Sequence, residues 1–238
     1  ELAERGDIAP GAPVSFCVPT GNFGDILAGY YAKRMGLPVE KLICASNDNK
    51  VLYDFFKTGV YDKNRPFILT SSPSMDILIS SNLERLIYLS TGCDAEETKK
   101  RMEELSKDGK YSVTDKMRAR MADFVGGYAD QAANAAEIKR LYDETGYMID
   151  THTGVASCVY HNYVKETGDT KKTVIASTAS PYKFSRSVME AIFGSEEGKG
   201  EFELIDEMEK ASGVKIPQAI EEIRKAEIRH NRQCKPEE

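Results

Sequence analysis

After a polar opening, the chain reads as short apolar runs separated by amphipathic stretches. Residues 14–18 form the first run, closed by Pro19. A glycine-containing turn and an amphipathic stretch over 25–35 follow, which predicts strand, loop and helix. Gly36 and Pro38 stop that helix, and residues 41–46 (KLICAS) supply a second apolar run. Two apolar strands joined by a helix make a βαβ unit, so the sheet is expected to be parallel and covered on both faces. Asn47, Asp48 and Asn49 are placed to cap a further helix over 51–58, with Gly59 as its stop. Residues 65–74, with Pro66 and Pro73, read as loop or short strand, and 76–90 as helix.

From 94 to 150 charged helical patterns take over, at 95–107 and 134–144, with a short strand at most over 112–114. This stretch reads as a helical insertion flanking the sheet. The sheet is expected to resume at 172–177 (KTVIAS), after a helix over 154–166 that Thr153 is placed to cap. Helices over 184–193, 201–211 and 217–225 close the chain, and the polar tail after Glu227 is expected to fray.

Composition narrows the class. A chain of 238 residues with 41% hydrophobic residues can bury a full core. No apolar run approaches a membrane span, and the start has neither the basic flank nor the apolar run of a signal peptide. The first residue is not Met, so a processed or cut chain is expected. The formal charge of -6 offers no basic face for a nucleic-acid backbone. Five cysteines without a CxxC pair fit a cytoplasmic protein, and the spacing of the three histidines matches no zinc site.

Chemistry concentrates at Gly21, Asn22, Phe23, Gly24 and Asp25, between an apolar strand and a helix, where open α/β sheets bind ligands. Two glycines permit close backbone approach, and free amides at a helix start suit a phosphate. A turn that merely joins strand to helix has the same pattern. Neither the GxGxxG spacing nor the GKS/T ending of other phosphate loops is present.

The runs VPTGNFGDILAGYYAKRMGLPV, ICASNDN, SPSMDILISSNLERL, DTHTGVA and STASPYKF, in that order, resemble threonine synthase. The resemblance covers residues 14–184 and persists weakly to 217. It implies a tryptophan-synthase-like, fold-type II pyridoxal phosphate enzyme that converts O-phosphohomoserine and water to threonine and phosphate. On that basis residues 1–238 are a single α/β domain, the carboxyl-terminal portion of a larger enzyme, with 94–150 as a helical insertion.

The resemblance further implies that the amides of Gly21, Asn22, Phe23, Gly24 and Asp25 hold the cofactor phosphate. The Asn22 side chain is then a further donor, and the Phe23 ring packs the loop. Asp25 either caps the helix or stands beside the anion. Thr178 is implied to meet the pyridine nitrogen, the alternative being a strand-end threonine that caps its turn. Ser180 stands where many similar sequences carry His, which leaves no acid–base group at that position. His152 sits in a DxHT turn near the cofactor, as a structural residue or an acid–base group. Asn47 and Asp48 are placed for ligand contact or capping, and Ser72, Ser74 and Asp76 match a motif whose role the sequence does not show.

The Schiff-base lysine belongs to a Phe-Lys-Asp context that these residues lack, so it is expected upstream of Glu1. Lys183 is read as structural or phosphate-proximal. Two other readings stand beside this one: a stand-alone phosphate or nucleotide-binding α/β module, and a non-catalytic interaction domain using the acidic helices of 94–150.

Overall fold

Strands β1 (Val14–Pro19) and β2 (Val39–Ser46) pair in parallel around helix α1 (Gly24–Arg34), in a computed structural model that describes residues 1–235. Helix α2 (Val51–Thr58) follows, closed by Gly59 in the left-handed conformation. Strands β3 (Val60–Asp62) and β4 (Lys110–Ser112) form a separate antiparallel ribbon. Between them lie a long loop, helix α3 (Leu83–Thr91) and helix α4 (Ala95–Asp108). Helix α5 (Asp115–Arg120), strand β5 (Phe124–Tyr128), helices α6 (Gln131–Thr145) and α7 (Thr151–Thr167) and strand β6 (Thr173–Ile175) complete the sheet region. Helices α8 (Ser185–Phe193), α9 (Glu201–Ser212) and α10 (Gln218–Lys225) close the chain.

The main sheet has the order β5-β2-β1-β6, with all pairings parallel. Side chains alternate across it, as the two-residue period of a strand requires. Val18, Leu42 and Cys44 join Ile26, Leu27 and Tyr30 of α1, together with α2 and α3, in one apolar cluster. Cys17, Ile43 and Ala45 meet Val155, Ala156 and Val159 of α7 in another. The sheet is thus covered on both faces, as the apolar runs predict. A third cluster joins α6, α8 and α9 through Ile138, Val188, Ile192, Leu204 and Met208. Among the described residues, no helix is long and apolar enough to cross a membrane.

Several expectations are corrected. The 94–150 stretch contains β4 and β5, and β5 pairs with β2 as an edge of the main sheet, so the stretch is not purely helical. The helix expected over 76–90 starts only at Leu83. Before it, Tyr61 Oη donates to the Leu78 carbonyl and accepts from the Ser80 amide, which holds the chain in a non-helical path. Asn47, Asp48 and Asn49 do not cap α2, whose N-cap is Lys50 without a side-chain bond. Their side chains bond elsewhere, Asp48 accepting from the Gln131 amide. Helix α7 starts at Thr151 and is capped by Asp150, not by Thr153, because the Asp150 carboxylate takes the amides of His152 and Thr153. Residues 227–235 are exposed and carry neither helix nor strand; the expected frayed tail otherwise lies outside the described residues.

Candidate functional site

Strand order decides where a ligand can enter. From β1 the chain moves to β2 and β5 on one side, whereas β6 lies on the other side of β1. The loops after β1 and β6 therefore diverge at the carboxyl ends of two neighbouring parallel strands, the switch point at which open α/β sheets bind ligands. A cleft of about 370 Å³ opens there. Its walls are Gly21, Asn22, Phe23, Gly24 and Asp25 from the first loop, Thr178, Ala179 and Lys183 from the second, and Ser74, Met75 and His152.

Phe23 fixes the shape of the first loop. Its backbone is left-handed, with φ 65° and ψ 4°, a conformation that costs an ordinary L-residue about 1–2 kcal/mol. Its ring is 1% exposed, with ring centroids 6.0 Å from Phe56 and 5.5 Å from Phe124. Burying an aromatic ring contributes roughly 1.5–3 kcal/mol, enough to offset the strain. The ring packs the loop, as expected, and leaves only the Phe23 backbone at the cleft.

The loop carbonyls are tied down. Ser80 Oγ donates to the Gly21 carbonyl at 2.8 Å, and the Asn82 amide and Nδ2 donate to the Asn22 carbonyl at 3.1 and 2.8 Å. The Phe23 carbonyl accepts from the Leu27 amide. The amides of Gly21, Asn22, Phe23, Gly24 and Asp25, by contrast, donate to no acceptor among the described residues. They stand at the amino terminus of α1, where the helix dipole also favours an anion. Asp25 is exposed in the first turn and makes no capping bond. Asn22 is exposed, and its Oδ1 lies 3.5 Å from Ser81 Oγ, which leaves its amide nitrogen free to donate.

Thr178 is exposed at the cleft and its hydroxyl makes no bond among the described residues, so it does not cap its turn. Ser180 caps the short turn Pro181–Phe184 by accepting from the Tyr182 amide. The exposed Lys183 ammonium stands 5.7 Å from the Phe184 ring centroid and adds positive charge at the cleft.

His152 is 3% exposed and both ring nitrogens are engaged. Nε2 accepts from the Ser74 amide at 3.2 Å, and Nδ1 lies 2.9 Å from Asp150 Oδ1. An accepting Nε2 assigns the proton to Nδ1, which donates to Asp150. Asp150 is fully buried and also bonds the Thr153 hydroxyl. Burial pushes its carboxyl up, but the bonds from His152 and Thr153 outweigh burial and hold it below its ordinary value.

Asn47, Ser72 and Asp76 lie behind the cleft. The Asp76 carboxylate accepts from Asn47 Nδ2 at 2.8 Å, Asn49 Nδ2 at 3.0 Å and the Thr70 amide at 2.8 Å. Asn47 Nδ2 also reaches Ser72 Oγ at 3.0 Å. These residues clamp the loop that presents Ser74 and Met75. The sequence singles out Ser72 and Asp76 without a role and offers Asn47 for ligand contact or capping, but Asn47 neither lines the cleft nor caps α2. Ser80 and Asn82 escape the sequence because their partners Gly21 and Asn22 are distant along the chain, and Asp150 because Thr153 is taken as the cap of α7.

The arrangement fits the cofactor that the sequence resemblance implies. Unpaired amides at a helix start suit a phosphate, and a free hydroxyl across the cleft suits a heterocyclic nitrogen.

A family profile described as "Threonine synthase, C-terminal" matches residues 153–233. Threonine synthase of Saccharomyces cerevisiae is 38% identical over 218 residues, which cover 85% of this chain and 42% of that protein. Threonine synthase-like 1 of Homo sapiens is 40% identical over 194 residues, 81% of this chain and 26% of that protein. The crystal structure of pyridoxal phosphate-bound threonine synthase from Brucella melitensis superposes with a TM-score of 0.75 at 39% identity, over 87% of this chain and 44% of that one. The chain thus spans less than half the length of each of these proteins. It belongs to the threonine synthase family, as a counterpart of the carboxyl-terminal part of its members.

Proposed function

We propose that this chain is the carboxyl-terminal portion of a pyridoxal phosphate-dependent threonine synthase, a lyase that turns O-phosphohomoserine and water into threonine and phosphate. The observation that carries the reading is the turn after β1, where the carbonyls of Gly21, Asn22 and Phe23 are bonded and the amides of Gly21, Asn22, Phe23, Gly24 and Asp25 have no acceptor among the described residues. These amides hold the cofactor phosphate, with the Asn22 side chain as a further donor. Thr178 Oγ meets the pyridine nitrogen, and Lys183 supplies a positive charge nearby. Asp25 is an unfavourable neighbour for a phosphate, and its exposure lets the carboxylate turn to solvent.

When bound, pyridoxal phosphate supplies the electron sink that stabilises a carbanion next to the substrate nitrogen. This chain binds and orients. His152 takes no part in proton transfer, because both its nitrogens are committed to Ser74 and Asp150. The lysine that bonds the cofactor aldehyde and moves substrate protons belongs to an amino-terminal segment upstream of Glu1, which forms the other wall of the cleft. Free cysteines suit a reducing, cytoplasmic setting.

The test joins the chain to the amino-terminal part of its own gene product and assays threonine release from O-phosphohomoserine. Borohydride reduction with pyridoxal phosphate, followed by peptide mapping, locates the reacting lysine. The reading expects turnover and a label outside residues 1–238. A label on Lys183 with turnover contradicts the assignment of the lysine. Phosphate binding without turnover leaves only a phosphate-binding module.

A further inference from the structure

The segment carrying Ser74 lies so close to the phosphate turn that no side chain fits at Gly21. A Cβ built on Gly21 would lie 2.5 Å from the Ser74 carbonyl oxygen and 3.2 Å from Met75 Cα. The position of that segment therefore sets the position of Gly21. On its far side the segment is fastened to the start of α7 at two points. Thr151 Oγ1 donates to the Ser71 carbonyl at 2.6 Å, and His152 Nε2 accepts from the Ser74 amide at 3.2 Å. The His152 ring has little freedom, since Nδ1 is bonded to the buried Asp150 and the ring packs 4.8 Å from Phe184.

We propose that His152 is a positioning residue for the anion site: through the Ser74 amide it fixes the backbone against which Gly21 rests, and so sets the aim of the amides at residues 21–25. The inference rests on the reading of that turn as a phosphate site, and deepens it. Asp150 holds the imidazole in the Nδ1–H form, the one tautomer that leaves Nε2 free to accept from Ser74. The functional weight of the residue lies in its acceptor, not in a transferable proton.

Two replacements divide the ring's two bonds. In His152→Gln the side-chain carbonyl reaches the place of Nε2 and can accept from Ser74. In His152→Asn the amide nitrogen mimics Nδ1 and can donate to Asp150, but nothing accepts from Ser74. Titration with inorganic phosphate is expected to show His152→Gln within about twofold of the unaltered chain and His152→Asn weakened about tenfold, the effect of losing roughly one hydrogen bond's alignment. Equal affinities for the two variants overturn the proposal.

A second measurement needs no variant. Imidazole nitrogen NMR of the unaltered chain at neutral pH is expected to show a protonated Nδ1 and a pyridine-like Nε2, and the Nε2–H tautomer or a cation overturns the proposal even if a variant fails to fold. Absence of any phosphate response at residues 21–25 in the unaltered chain refutes the phosphate reading itself. The tautomer then still decides whether His152 holds Ser74.

Discussion

Gly21→Ala is the smallest change that presses on the cleft. The added Cβ meets the Ser74 carbonyl oxygen at 2.5 Å, whereas carbon–oxygen contacts settle near 3.3–3.6 Å, so the two backbones must part by roughly 1 Å. Neither side gives way easily. Ser80 Oγ holds the Gly21 carbonyl, and His152 and the Asp76 clamp hold the segment around Ser74. Overpacking of this kind costs about 1–3 kcal/mol, which lowers the melting temperature by roughly 2–12 °C for a chain of this size. A hydrogen bond to a charged group contributes about 1.5–3 kcal/mol, so misaiming even one amide weakens phosphate binding roughly tenfold or more. Gly24→Ala is the milder comparison: its Cβ meets only Asn82 Nδ2, at 3.3 Å, so a shift of a few tenths of an ångström in one side chain, the donor to the Asn22 carbonyl, accommodates it, and a smaller loss of affinity is expected. Calorimetric titration with phosphate and thermal melts of both variants provide the assay. A Gly21→Ala protein with unaltered affinity and melting temperature refutes the argument.

Asp76→Ala removes the acceptor shared by Asn47, Asn49 and Thr70 and should cost about 2–4 kcal/mol in urea unfolding, with faster proteolysis of the loop at residues 65–80. The carboxyls of Asp150 and Glu137 are both held below their ordinary values: burial raises each, but bonds from His152 and Thr153 at Asp150, and from Arg140 and Ser157 at Glu137, outweigh it. A depressed folded value means that the stabilisation is complete above the unfolded value near 4 and is lost as pH falls through the folded one. Stability should therefore decline below about pH 4, and Asp150→Asn should flatten that decline in denaturation measured at each pH. Burial pushes the Cys44 thiol up to about 12 and the Cys17 thiol higher still, so maleimide at pH 8 should label the exposed Cys93 and Cys234 quickly and reach Cys17 and Cys44 only after unfolding.

The sequence reads well where local chemistry and tertiary structure agree. The runs at 14–18 and 41–46 are apolar because both faces of the central strands are covered, and α2 ends at Gly59 because a left-handed residue is needed there. Strand β5 is hidden for a physical reason. A Cβ on Gly126 would lie 3.2 Å from Tyr53 Cα, and one on Gly127 would overlap Val159. Helices α2 and α7 approach this edge from opposite faces so closely that glycine is required, and glycine erases the apolar signal of a strand. The loop before α3 fails for the opposite reason: DILISSN has helical spacing, but Tyr61, Gly21 and Asn22 draw its polar groups into long-range bonds. At the site, the turn is legible because glycines and a helix start are local features. The path from Asp150 through His152 and Ser74 to Gly21 is not, since only its first pair is local, and Ser74 meets His152 and Gly21 only after the sheet has assembled.

The most direct test of the central claim is a nitrogen–proton correlation spectrum of the chain titrated with pyridoxal phosphate and, separately, with inorganic phosphate. The amides of Gly21, Asn22, Phe23, Gly24 and Asp25 are expected to shift downfield with both ligands, as donors to an anion do, and Thr178 to respond only to pyridoxal phosphate. Saturable binding that leaves these amides unmoved and shifts another part of the chain would contradict that claim.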